Sequence, residues 1–134
     1  MSSPAGHHDH VRNQFLIFLE IKIFYTNSSY EYWGRAASLV HTTIDGKRDI
    51  ELPDNVRFYH FAGSQHGPAS FPPKVGIGQQ PSNPMDFRWS MRALLIALDR
   101  WVADGTNPPA SKYGRVEAAT LVTPENLEFP KLPG

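Results

Sequence analysis

Cysteine is missing altogether from the 134 residues. That excludes disulfides and thiolate metal sites, and it leaves the compartment open, since secreted bacterial proteins often lack cysteine too. Net charge is missing as well: 13 Lys and Arg cancel 13 Asp and Glu. No electrostatic argument then favours nucleic acid or an anionic membrane as partner. There is no long apolar run. The stretch from Phe15 to Phe24 is broken by Glu20 and Lys22 and is too short to span a bilayer. The opening "MSSPAGHHDHVRNQ" has no basic region followed by an apolar one, so it does not read as a signal peptide.

What is present fits one domain with a real core. Residues 1–13 are polar and read as a disordered segment; residues 14–110 carry the domain, and residues 111–134 are its irregular tail. His7, His8 and His10 around Asp9 are metal-ligating residue types. The preferred reading is a loose terminus, without the surrounding groups that fix imidazole ligands. Within "QFLIFLEIKIFYTN" the clearer strand is "IKIFYT", rich in branched and aromatic residues; "FLIFLE" suits a strand or a short helix. Ser28 followed by Glu31 fits a capping box and predicts a helix over 29–40, weakened by Gly34. "TTIDGKRDIELPDN" is polar, with a turn at Asp45-Gly46, and suits a small hairpin or an excursion.

"VRFYHFAG" is apolar on both faces, as a strand in a helix-covered parallel sheet requires. It delivers His66 abruptly, through Ala62-Gly63-Ser64-Gln65. Either the chain simply turns there, or it holds out an imidazole for chemistry. A long Gly- and Pro-rich loop follows over 67–83. Asn83 then reads as an N-cap, Pro84 as the first helical position and Asp86 as a first-turn acid. Phe87, Met91, Leu94, Leu95, Leu98, Trp101 and Val102 recur at three- and four-residue steps and mark the apolar stripe of the helix, which Gly105 stops. A short strand is expected near "ATLVT". The fold class is therefore α/β, built on a parallel βαβ unit with a histidine loop and a closing amphipathic helix.

Three strings, "KIFYTNSSYEYWGRAASLVHT", "FYHFAGSQHG" and "FRWSMRALLIALDRWVADGTNPPASKY", resemble the C-terminal part of the bacterial α/β-hydrolase domain-containing proteins. The resemblance covers roughly residues 22–134, while residues 1–20 depart from it. It implies the last third of an α/β-hydrolase fold with an incomplete sheet. There the catalytic residues run nucleophile, acid, histidine along the chain. His66 would be the base and Glu31 the acid, on the match of "NSSYEYW", at the carboxyl ends of neighbouring parallel strands. For Glu31 the competing reading is the capping box alone. Asp45, Asp49 and Asp54 are the other candidate acids. His41 and His60 read as structural. Arg35, Trp33 and Gln65 lie near the candidate pair in sequence without an assigned role. Tyr25, Tyr30, Tyr32 and Trp33 read as core or pocket lining.

The nucleophile elbow G-x-S-x-G does not occur in the chain, and the oxyanion donor that accompanies it is missing with it. The chain thus reads as the C-terminal segment of a serine hydrolase. It would act on a small ester or amide in the intact protein, be inactive alone, and need no cofactor or metal. The alternative is a non-catalytic α/β interaction module that pairs, or self-associates, through an open sheet edge. A third reading, a small metal-binding protein, would use the N-terminal histidines.

Overall fold

A computed structural model describes residues 21–128 and 130. The readings made for residues 1–13, for the histidines at 7, 8 and 10 and for "FLIFLE" lie outside the described residues.

Two runs of branched and aromatic residues form the strands β1 (Ile23–Ser28) and β2 (Val56–Phe61). They pair in parallel, with Ile23 opposite Val56 and Ser28 opposite Phe61. Both therefore end at the same edge of the sheet. The far side of β2 is also engaged. His60 N–H donates to the Lys112 carbonyl at 2.8 Å, and Lys112 N–H donates to the Phe58 carbonyl at 2.9 Å. β2 is thus the central line, flanked by β1 and by the chain around Lys112. Among the described residues no strand pairs with the outer edge of β1.

The connection between the strands differs from the expected single helix over 29–40. Helix α1 covers only Ser29–Gly34, and a 3-10 turn follows at Ala37–Val40. Ala36 lies between them in the left-handed region, at φ 52° and ψ 36°, and that reversal breaks the helix. The polar stretch closes as a small hairpin: Thr43 N–H donates to the Arg48 carbonyl at 2.9 Å around a turn at Gly46.

The closing helix α2 runs Arg88–Asp104 and ends on Gly105, which takes the left-handed conformation at φ 74°. It starts later than the sequence pattern suggests. Asn83 and Pro84 precede it, and Asp86 turns back on Arg88, accepting its N–H at 2.9 Å and pairing with its guanidinium. No strand forms at "ATLVT". Residues 116–119 turn, Ala119 takes φ 52°, and Asp49 accepts the N–H groups of Val116 and Glu117 at 3.0 and 3.1 Å.

The core is aromatic on both faces of β2. On one face the fully buried Phe58 meets Tyr25, Tyr32, His41 and Tyr113. On the other, Tyr59 packs edge-on against Phe24, and Phe24 touches Trp101 of α2. Near the opposite end Phe61 stacks on Phe87, 5.5 Å between centroids. α2 is thus held near its two ends. Between them a cleft of about 180 Å³ separates it from β1, lined by Phe24, Thr26 and the leucines at 94, 95 and 98. Leu95 is 67% exposed. Among the described residues no helix is long and apolar enough to cross a membrane.

Candidate active site

The site forms where β1 and β2 end together. Ser28, the last residue of β1, is extended and caps α1: its Oγ accepts the N–H of Tyr30 at 3.1 Å. Three residues on, Glu31 returns to the cap. Its Oε2 accepts the Ser28 N–H at 3.0 Å and the Ser28 hydroxyl in a short contact. Its other oxygen, Oε1, meets Nδ1 of His66 in a second short contact. The capping role and the contact with histidine therefore coexist, one on each carboxylate oxygen. The side chain of Glu31 is 27% exposed and that of His66 79%.

The hydrogen bond from the Ser28 hydroxyl is the main reason the Glu31 carboxyl is pulled down to about 2. Partial burial opposes this, and His66 and the backbone N–H groups add to the lowering. Glu31 is thus a carboxylate across the working range of most enzymes.

His66 arrives by a short loop. Gly63 takes φ 76°, which turns the chain away from the strand. Ser29, the first residue of α1, then stitches this loop to the acid's turn. Its N–H donates to the Ser64 carbonyl at 3.0 Å, and its Oγ accepts the Gly63 N–H at 2.8 Å. Tyr30 lies beside the imidazole, 5.6 Å between centroids. A cavity of about 210 Å³ opens next to the pair, with Thr26, Phe61, Phe87 and Met91 in its wall. Among the described residues His66 Nε2 has no hydrogen-bond partner. An imidazole whose Nδ1–H donates to a carboxylate leaves Nε2 free to accept a proton.

The remaining candidates lie elsewhere. Asp45 accepts Thr43 Oγ1 at 2.6 Å in the hairpin turn, and Asp49 caps the 116–119 turn. Asp54 offers its backbone carbonyl to Arg57. None of the three meets His66. His41 is buried, with Nε2 at 2.9 Å from the Tyr32 hydroxyl, and His60 stacks on Tyr32 with centroids 4.1 Å apart. Burial lowers the pKa of both. Arg35 sits over the Tyr30 ring, and Trp33, largely exposed, packs edge-on against Tyr32. Gln65 donates to the Asn83 carbonyl at 3.0 Å. Sequence reasoning assigned no role to Ser29, and gave Asn83 a helix cap instead of a place in the histidine loop. Their contacts are long-range, and only the polar types beside the two turns hint at them. Among the described residues no cluster of three or more His, Cys, Asp or Glu side chains is placed to hold a metal.

Two parallel strands that deliver a carboxylate and an imidazole to one edge define an α/β class of site. The pattern of the alpha/beta hydrolase domain matches residues 3–127, and the chain belongs to that family. The match begins at residue 3, so residues 3–20, set apart by the sequence comparison of motifs, fall inside it. No curated protein and no solved structure matches the chain.

Proposed function

We propose that this chain carries the acid and the base of a serine-hydrolase triad, for acyl transfer from a small ester or amide to water. The observation that carries the reading is the contact of Glu31 Oε1 with His66 Nδ1 at the shared end of two parallel strands. Glu31 holds the proton on Nδ1 and stabilises the imidazolium when it forms. His66 Nε2 takes the proton of an attacking serine, then returns it to the leaving group. The serine comes from a G-x-S-x-G segment outside this sequence, so the chain alone is inert.

The test is labelling by a fluorophosphonate together with hydrolysis of a p-nitrophenyl ester. The chain alone should show neither above background. Co-expressed with the coding sequence upstream of it, it should join an active, labelled assembly that His66→Ala silences. A serine of this chain labelled stoichiometrically on its own, or activity surviving His66→Ala, would overturn the reading.

A second reading has its own support. Among the described residues the outer edge of β1 is unpaired, and α2 exposes Leu95 and Ile96; both features suit a non-catalytic module that pairs with another chain. That assembly would form equally well with His66→Ala and never hydrolyse an ester.

A further inference from the structure

We propose that Asn83 is the positioning residue that sets the His66 imidazole on the Glu31 carboxylate. The inference rests on the reading of those two residues as a proton relay. His66 itself is mostly exposed and, among the described residues, has one polar contact and one ring beside it. Its orientation must therefore come from the loop backbone that carries it.

Ser29 holds that loop at Gly63 and Ser64, before the histidine. Asn83 holds it on both sides. Its Nδ2 donates to the Gly63 carbonyl at 2.6 Å, and its backbone carbonyl accepts from Gln65 Nε2 at 3.0 Å. The same carbonyl accepts the Ala69 N–H, also at 3.0 Å, three residues beyond His66. The amide is itself oriented, because Asn83 Oδ1 accepts the Met85 N–H at 2.9 Å. A flipped amide would turn its NH2 toward the Met85 donor and its oxygen toward the Gly63 acceptor, losing both bonds. The position asks for one donor and one acceptor in a single planar group. Aspartate supplies two acceptors and would repel the Gly63 carbonyl.

Asn83 also closes the neck of the excursion over 70–82. That excursion has its own internal bond, from Ser82 N–H to the Lys74 carbonyl at 3.1 Å, and exposes the apolar side chains of Phe71, Val75 and Ile77. The bond from Ala69 to Asn83 thus separates the excursion from the loop that carries His66. The imidazole stays where the carboxylate can hold its proton.

The test is long-range proton–nitrogen NMR of the full chain, at a pH where the imidazole is neutral. In the wild-type chain the proton should sit on Nδ1. In Asn83→Ala and Asn83→Asp, with the amide pattern of β1 and β2 retained, the Nδ1–H species should cease to be the majority, and Nε2–H should replace it. Gln65→Ala, the milder change, should give a partial shift. Folded Asn83 variants that keep Nδ1–H would overturn the positioning role and leave the relay standing. Loss of the fold in all three variants would also overturn it, making Asn83 a structural residue. A wild-type imidazole protonated on Nε2 would remove the relay and the positioning role together.

Discussion

Glu31 does two jobs because a carboxylate has two oxygens, and the geometry of a capping box spends only one of them. Ser28 Oγ and N–H occupy Oε2, which leaves Oε1 aimed past the helix start toward the loop of β2. The low Glu31 pKa has a consequence for stability. A carboxyl held at about 2 in the folded chain, against 4.5 when free, is protonated more readily unfolded. Its stabilising contribution is complete above about pH 4.5, declines as pH falls, and is gone below about pH 2. Urea midpoints of wild type and Glu31→Gln should therefore converge as the pH is lowered through that window. A gap that stays constant with pH would contradict the assignment. Ser28→Ala removes the cap and the main hydrogen bond to Glu31. It should cost roughly 1–2 kcal/mol and raise the Glu31 pKa, both measurable by denaturation and carboxyl titration.

At the scale of elements, two left-handed residues decide where helices stop. Gly105 ends α2 at φ 74° with open space around its Cβ position, so Gly105→Ala should destabilise by about 1–2 kcal/mol through backbone strain alone. Ala36 is the reverse case, a residue with a Cβ already held at φ 52°. Ala36→Gly should be neutral to stabilising, by up to about 1 kcal/mol in urea denaturation; clear destabilisation would argue against the break placed there. These positions also show what was legible beforehand. The strands were readable because "IKIFYT" and "VRFYHF" combine branched and aromatic residues with apolar character on both faces. The capping box was readable because it is local. The break at Ala36 was not, since alanine carries no signal for φ > 0. Nor was the late start of α2, because Asn83 looks like a cap until its long-range contact with Gly63 is known. "ATLVT" has strand-like residues, yet Asp49, some seventy residues earlier, captures the turn before it.

At the scale of the molecule, motif resemblance singles out Glu31 and His66, but their contact depends on strand register, which no local pattern carries. The same register leaves β1 with an unpaired outer edge among the described residues, beside a helix whose Leu95 and Ile96 face outward. Each large apolar side chain left in water forgoes roughly 1.5–3 kcal/mol. A whole domain is stable by only about 5–15 kcal/mol, so a few such residues matter. The isolated chain should therefore associate with increasing concentration and bind a hydrophobic dye. Sedimentation velocity tests this: a monomer at all concentrations, with a sharp melt and no dye binding, would favour a self-sufficient module.

The most direct measurement is the protonation site of the neutral His66 ring, read by nitrogen-15 NMR in wild type and Glu31→Ala. The relay predicts a proton on Nδ1 and a bare Nε2 in wild type, with the proton moving to Nε2 once the carboxylate is gone. A wild-type ring protonated on Nε2, or an Nδ1–H form indifferent to Glu31→Ala, would contradict it.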